Sequence, residues 1–281
     1  MFVAISGFAT DGNRFIPMAM EKGAAVIVTA KEPETDIPYV LVESDRLALA
    51  LMGANLYGQP ASAMKLIGIT GTNGKTSTTL LLKQVLEKTL GAKVGLIGTM
   101  ENMVGQEVIP TERTTPESLE LQQLFDRMQR AGCSHVVMEV SSHALTLDRV
   151  GGVRFDVAAF TNLTEDHLDF HKTMENYCDT KAVLFDRCDT AVINLDDPWG
   201  ARLAEEKPCT KITFSARSDS ADLVAKNLQL LSDGIRAVRG GNGTSSFYPT
   251  QVGAKIMLAI GRDEVLLCTA KKAEYVQIPL R

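Results

Sequence analysis

Residues 64–82 read MKLIGITGTNGKTSTTLLL, and the rest of the chain is organised around them. Met64, Leu66, Ile67 and Ile69 make an apolar run of strand length. Gly68, Gly71 and Gly74 interrupt or follow it, and Lys75, Thr76 and Ser77 lead into a run with helical character. This order predicts a buried strand, a tight glycine loop and a helix N-terminus, which together cradle an anion. Glycine lets the backbone take positive φ and turn its amides toward a phosphate. Lys75 adds a point charge there, and the Thr76 hydroxyl is suited to Mg²⁺. The full phosphate-loop pattern is not met, because Ile69 stands five residues before Gly74 where the first glycine belongs. A glycine-rich turn that binds no nucleotide is the competing reading.

Upstream, strands are expected at Phe2–Ile5, Ala24–Thr29 and Tyr39–Val42, with a helix from Ile16 to Lys22 that stops at Gly23. Asp45 reads as the N-cap of a second helix through Leu56, which ends near Gly58 and Pro60. Strands alternating with helices predict a small α/β unit over 1–62, followed by a second unit over 63–281. Asp11, Gly12 and Asn13 read as an ordinary turn rather than a ligand loop.

Downstream, Leu80, Leu81, Leu82, Val85 and Leu86 predict the core stripe of a helix over Thr76–Thr89. Lys93–Thr99 reads as a strand. Pro116 opens a further helix to Ala131, with Thr115 as its N-cap. His135–Val140 and Phe155–Phe160 read as buried strands ending in polar residues, where open α/β sheets place their ligands.

The first of these strands delivers Glu139, Ser141, Ser142 and His143. The second delivers Thr161, Asn162, Thr164, Glu165, Asp166, His167, Asp169 and His171. Glu139, set among Val136, Val137, Met138 and Val140, needs a cation or donors if buried. Mg²⁺ held with nucleotide phosphates satisfies it, and so does a buried salt bridge. His167 and His171 have the i, i+4 spacing of a zinc pair. The lack of nearby cysteine and the upstream phosphate loop favour magnesium. A serine-hydrolase reading of Ser141, Ser142 and His143 fails for want of a G-x-S-x-G elbow. Met174–Phe185 reads as a helix carrying Lys181 among apolar neighbours. That lysine is either semi-buried, with a lowered pKa and a reactive amine, or a surface lysine snorkelling to water.

The 281 residues carry a formal net charge of -5 with 45% hydrophobic residues, which gives no electrostatic reason to expect nucleic acid or an acidic membrane as partner. Cysteines at 133, 178, 188, 209 and 268 form no close pair, which argues against a zinc site or a disulfide scaffold. Neither a signal peptide nor a membrane-spanning run is readable, so a cytoplasmic protein without membrane insertion is expected.

Taken together, ITGTNGKTSTT, ERTTPES, MEVSSHAL with Arg149, FTNLTEDHLDFH and MENYCDTKAVLF resemble the Mur ligases in order and spacing. The likeness is greatest to the tripeptide-synthetase (MurE) branch of peptidoglycan synthesis. FVAISGFATDGNRFIPMAMEKGAAVIV is similar to the uridine-nucleotide-binding first domain of that family, so the resemblance covers roughly residues 1–250. It implies an α/β fold: a small UDP-sugar-binding domain, then a phosphate-loop central domain. ATP phosphates are implied to lie on Gly71, Thr72, Asn73, Gly74, Lys75, Thr76 and Ser77. Lys75, Glu139, His167 and Lys181 form the implied catalytic set. Thr76, Glu139 and His167 are implied magnesium ligands. Lys181 corresponds to a family lysine carbamylated by CO₂ (N6-carboxylysine), which helps to position a metal. Thr114, Thr115, Ser141 and Arg149 correspond to residues that grip the muramoyl dipeptide, with His143 supporting that loop.

The implied reaction is amide formation through an acyl phosphate. ATP phosphorylates the D-glutamyl γ-carboxylate of UDP-MurNAc-L-Ala-D-Glu, and a diamino acid, meso-diaminopimelate in preference to L-lysine, attacks it. The family's segment before the Phe2 strand, its adenine-side stretch late in the central domain and its third domain are not readable here, and the sequence is atypical from about residue 251. The expectation is a monomeric chain truncated at both ends that binds Mg-ATP and does not ligate alone. An inactive or regulatory ATP-binding fragment is one alternative. A folyl- or cyanophycin-type amide ligase is another, against which ERTTPES and the uridine-domain text speak.

Overall fold

The computed structural model describes residues 1–7, 10–231, 234–239, 245–249, 256–260 and 265–269, with side chains as far as Ala225. The first apolar runs form β1 (Phe2–Ala4), α1 (Ile16–Glu21), β2 (Ile27–Thr29) and β3 (Tyr39–Leu41), followed by α2 (Asp45–Leu56). The three strands pair in parallel in the order β1-β2-β3, with Ala4, Ile16 and Ile27 as their small core. Ser44, not Asp45, caps α2: its extended backbone holds the hydroxyl 3.1 Å from the Leu47 amide. Asp45 is the first helical residue and instead accepts the Ser6 amide at 2.8 Å. Asp11 caps a short 3₁₀ turn over Gly12–Phe15, accepting the Asn13 amide at 3.0 Å.

After a 3₁₀ turn at Pro60–Ala63 come β4 (Lys65–Thr70), α3 (Lys75–Leu90), β5 (Val94–Ile97), β6 (Asn102–Val104) and β7 (Glu107–Ile109). Next are α4 (Ser118–Arg130), β8 (His135–Glu139), α5 (Ser142–Thr146), β9 (Phe155–Phe160), α6 (Leu168–His171) and α7 (Met174–Ala182). β10 (Cys188–Asn194), α8 (Pro198–Glu206), β11 (Thr210–Ser215), β12 (Leu223–Leu231), β13 (Gly234–Arg239), β14 (Ser245–Pro249), β15 (Ile256–Ile260) and β16 (Val265–Thr269) follow. The large sheet of the described residues runs β14-β13-β12-β11-β10-β9-β4-β8-β5-β6-β7. From β12 to β5 all neighbours are parallel, and antiparallel hairpins extend both edges. β4 therefore lies between β8 and β9. The chain leaves β4 for β5 on one side, returns through β8 and crosses to β9 on the other. Such a reversal opens a crevice at the C-terminal strand ends.

Alternation along the strands builds a core on each face of this sheet. Ile67, Ile69, Val137, Ala159, Val192 and Phe214 pack with Leu82 and Leu86 of α3. Leu66, Val136, Met138, Ala158 and Phe160 pack on the opposite face with Phe125, Tyr177 and Phe185. The helical stripe is narrower than expected: Leu82 and Leu86 are buried, whereas Leu80, Leu81 and Val85 are half-buried. Five apolar residues within seven positions cannot share one helical face. The two buried leucines contribute about 1.5–3 kcal/mol each.

Two further expectations are corrected. α4 begins at Ser118 with Glu117 at its N-cap, and the Glu120 carboxylate accepts the Glu117 amide at 3.2 Å. Thr115 is buried and directs its hydroxyl to the Glu139 carbonyl at 2.9 Å, so it is not a cap. α7 ends at Ala182, and Val183–Arg187 tighten into a 3₁₀ turn. Of the residues from about 251 onward, β15 and β16 are described as an antiparallel pair, and the rest of that expectation lies outside the described residues.

Candidate active site

The crevice is built where β4, β8 and β9 end. Gly71 has φ 141° and Gly74 φ 90°, values that glycine adopts without strain. A Cβ at Gly71 would fall 1.9 Å from Thr161 Oγ1, so no other residue fits beside β9. Gly74 precedes α3, no side chain caps that helix, and Lys75, Thr76 and Ser77 form its first turn. The opening amides of a helix have no intrahelical acceptor, so an anion or water must satisfy them. The β9 exit holds the loop in shape. Asn162 Oδ1 accepts the Asn73 amide at 3.0 Å, the Asn162 carbonyl accepts the Thr72 amide at 2.8 Å, and the Thr161 hydroxyl donates to the Asn73 carbonyl at 2.8 Å. Lys75 folds back over the loop, donating to the carbonyls of Gly71 and Thr72, each at 2.9 Å. Burial lowers its pKa against the pull of Glu139 and Asp166.

Glu139 alternates with Val137 onto the α3 side of β8, which carries it to the first turn of that helix. It is 1% exposed. Its carboxylate accepts the Thr99 amide at 2.9 Å, the Thr99 hydroxyl at 3.1 Å and the Thr76 hydroxyl at 3.0 Å. Among the described residues no ion pair includes Glu139, so donors rather than a salt bridge compensate its burial. Thr76 Oγ1 and Glu139 Oε2, 3.0 Å apart, match an octahedral edge, which is roughly 3 Å when metal–oxygen bonds are about 2.1 Å. Among the described residues no cluster of three His, Cys, Asp or Glu could hold a metal by itself. Mg²⁺ takes one or two protein oxygens and completes its shell with phosphates and water.

Lys181 is 1% exposed and does not snorkel to the surface. Its Nζ donates to the Gly71 carbonyl at 3.0 Å and stands 4.5 Å from the Tyr177 ring centre. The Gly71 carbonyl thus receives both Lys75 and Lys181. Burial first, and then the charge of Lys75, push the Lys181 pKa well down, which favours the neutral, nucleophilic amine.

A profile of the Mur ligase middle domain matches residues 69–253. The chain belongs to the Mur ligase family. It is 50% identical over 236 residues to a UDP-N-acetylmuramoyl-L-alanyl-D-glutamate–2,6-diaminopimelate ligase of Clostridium acetobutylicum, covering 83% of this chain and 48% of that protein. It is 42% identical over 243 residues to the ligase of the same description from Bacillus licheniformis, covering 83% of this chain and 49% of the other. The chain therefore spans about half the length of the curated relatives it matches. A solved structure of such a diaminopimelate ligase superposes with TM-score 0.74 at 25% identity, over 89% of this chain and 52% of that one. MurF from Thermotoga maritima, solved with ADP, shares the fold at TM-score 0.57 and 22% identity, over 89% of this chain and 55% of its own.

In this Mur ligase chain the other residues singled out in the sequence fall into two groups. Thr114, Thr115, Ser141 and Arg149 meet at the β8 exit. Thr114 Oγ1 lies 3.0 Å from the Thr99 hydroxyl, Thr115 Oγ1 accepts the Ser141 amide at 3.2 Å, and Ser141 caps α5 through the Ala144 amide at 3.2 Å. Arg149 donates to the Thr115 carbonyl at 3.2 Å and pairs with Glu117 at 2.7 Å, while its buried Nε has no partner among the described residues. Thr115 is fully buried, so its side chain shapes the loop, and Thr114, Ser141 and Arg149 are the ones a substrate can reach. A groove of about 680 Å³, lined in part by Thr111, Arg113, Pro116 and Arg127, opens beside this loop rather than at the phosphate loop.

His167 and His171 part company. The His171 ring is buried, lies 2.8 Å from the Ser142 hydroxyl and stacks on Tyr177 at 4.7 Å. Burial, then the charges of His143, Lys181 and His167, lower its pKa to about 4. His167 is half-exposed, with its ring 5.1 Å from His143 and 3.6 Å from the Asp166 carboxylate. No described contact joins His167 to Glu139 or Thr76. The zinc-like spacing therefore does not converge on one point. His143 packs on Phe170 of α6 at 4.3 Å. Thr99 and Tyr177 belong to the site and were not singled out from the sequence. For Thr99 the available signal was a polar residue directly beyond an apolar strand, as at Glu139.

Proposed function

We propose that this chain carries the ATP-phosphate and dipeptide-binding part of a ligase that adds meso-diaminopimelate to UDP-MurNAc-L-Ala-D-Glu. Its role is then in peptidoglycan synthesis and hence in cell shape and division. The observation that carries this reading is the uncapped first turn of α3 beside the Thr76–Glu139 pair, with Lys75 and Lys181 sharing the Gly71 carbonyl. Relatives at up to 50% identity bear the name of the diaminopimelate ligase, which favours that diamino acid over L-lysine. We take residues 1–62 as the UDP-sugar side and residues from 63 as the ATP side.

The residues present fit a magnesium ion. Thr76 and Glu139 would hold it, and the ion would neutralise phosphate charge; His167 is the further ligand that the family resemblance implies. The α3 amides and Lys75 bind the γ-phosphoryl group and offset the charge that builds on it. Thr114, Ser141 and Arg149 orient the dipeptide so that its γ-carboxylate oxygen attacks phosphorus as the bond to ADP breaks. The incoming amine then displaces phosphate from the acyl phosphate. No covalent enzyme intermediate is required. Neutral Lys181 adds CO₂ and loses a proton to become a carbamate, an anion suited to the cationic side of the phosphate loop.

Two measurements test this. Calorimetry with UDP-MurNAc-L-Ala-D-Glu, Mg²⁺ and a non-hydrolysable ATP analogue should show binding that Arg149→Ala weakens at least tenfold, the scale of a lost charge-assisted contact. Failure of the dipeptide nucleotide to bind, with nucleotide analogue bound, refutes the substrate assignment. Carbon-13 NMR with labelled bicarbonate should give a carbamate signal that Lys181→Ala removes, and its absence from a folded, Mg²⁺-bound sample refutes the modification.

A further inference from the structure

We propose that Thr99 is the positioning residue of the metal-binding carboxylate, and that it ties the dipeptide loop to the magnesium site through a chain of hydroxyls. This deepens the reading above and rests on it for Thr76 and Glu139 as magnesium ligands.

β5 runs parallel to β8 with Ile97 opposite Met138, so the residues just past β5 come alongside Glu139. The approach is close: a Cβ at Gly98 would stand 2.6 Å from Glu139 Oε1. Thr99 then supplies two of the three donors to this carboxylate, its amide to Oε1 at 2.9 Å and its hydroxyl to Oε2 at 3.1 Å. One bond to each oxygen fixes the carboxylate plane, and that plane turns Oε2 toward Thr76, 3.0 Å away. A buried carboxylate needs donors of some kind to fold. It needs both oxygens fixed by one residue only if its orientation matters.

The Thr99 hydroxyl has a second neighbour, Thr114 Oγ1 at 3.0 Å. A single proton serves one acceptor at a time, and an anionic oxygen is the stronger acceptor. Thr99 Oγ1 is the donor in both contacts, so its proton favours Glu139 and Thr114 competes with the carboxylate for it. The result is a connected set of hydroxyls, with Thr99 shared between Glu139 and Thr114, and Thr76 meeting the carboxylate from the other side. A ligand that takes the Thr114 oxygen frees the Thr99 proton for Glu139, and so acts on the carboxylate without touching it.

The test is calorimetry of ATP with Mg²⁺ and of ATP in chelator, on the unaltered chain, Thr99→Val, Thr99→Ser and Thr114→Val, with thermal unfolding as a check on folding. Removing one hydrogen bond to a charged group predicts about tenfold weaker Mg-ATP binding in Thr99→Val, with metal-free ATP binding unchanged within about twofold. Thr99→Ser keeps the hydroxyl and should recover to within about threefold of the unaltered chain. Thr114→Val removes the competing acceptor, so it should tighten Mg-ATP by about threefold in the unaltered background and change nothing on top of Thr99→Val, the non-additivity of one connected set. Equal losses with and without Mg²⁺, or no rescue by serine, overturn the proposal, because a merely structural threonine behaves that way. If Thr99→Val does not fold, Thr114→Val decides: no Mg²⁺-specific gain there overturns the link. If the unaltered chain binds ATP equally with and without Mg²⁺, the magnesium reading of Thr76 and Glu139 fails and the proposal falls with it. That outcome differs from a failure confined to the Thr99 variants.

Discussion

The two strands flanking β4 end in different ways. Past β8, Glu139, Val140, Ser142 and Ala144 are buried, and their polar atoms are bonded to Thr99, Thr76 and His171. Past β9, Thr161 and Leu163 are buried, and Thr164 is bonded back to Thr72 and Asn73. The chain then turns outward, and Thr164, Glu165, Asp166 and His167 are exposed. His167 and Lys172 there hold positive φ values of 52° and 69°, which non-glycine residues adopt only at a cost. The β8 side is thus assembled before any ligand arrives, and the β9 side stores strain and exposes its acids and histidine. The physical lesson is one of division: fixed donors set the buried carboxylate, and the outer loop keeps its acids and histidine exposed beside it.

The largest expected effect lies on the assembled side. Glu139→Gln keeps the shape and removes the charge, and should weaken Mg-ATP binding by about a hundredfold, the upper end of the range for perturbed metal sites. His167→Ala, on the exposed side, should cost no more than about tenfold in the same titration and should leave the melting temperature unchanged within error. If the two variants behave alike, the contrast between the exits is wrong.

Acid offers a second way to probe the contrast. His171 titrates near 4 in the folded chain and near 6.5 when unfolded, so between these values the unfolded chain binds the extra proton. Its contribution to stability is complete above about pH 6.5 and is lost as pH falls toward 4. Melting curves from pH 7 to 4 should show this loss, and His171→Gln should flatten it. An unchanged pH slope in that variant would mean that the buried ring at the α5–α7 contact is not what acid attacks. Smallest is Lys172→Gly. Relief of its backbone strain should raise stability by about 1 kcal/mol, or roughly 2–4 °C in a chain of this size, since its side chain is exposed and bonds only the Asp169 carbonyl among the described residues.

Much of this contrast was legible before any coordinates. The strand into Gly71, the helix opening at Lys75 and the buried run Phe155–Phe160 all follow from local apolar patterning and glycine placement, and their limits were read almost to the residue. The caps were misread. Ser44 and Asp45 are adjacent, and Thr115 and Glu117 lie two apart; each can cap, and tertiary partners decide: Ser6 claims Asp45, and the Glu139 carbonyl claims the Thr115 hydroxyl. Lys181 stayed undecided for a similar reason, since its burial depends on a carbonyl 110 positions away at Gly71. Thr99 was legible only as a polar residue beyond an apolar strand. Its significance exists only because β5 and β8 are neighbours, and nothing local to residue 99 announces a partner at 139.

The central claim is that the β4 exit is a phosphate cradle completed by Lys75. Titration calorimetry of Mg-ATP on the 281-residue chain and on Lys75→Ala, with melting curves for both, tests it most directly. The account predicts measurable binding by the unaltered chain, at least tenfold weaker binding by the variant, the scale of a lost contact between charged groups, and melting temperatures that agree within a few degrees. Equal Mg-ATP affinity in the two would contradict it.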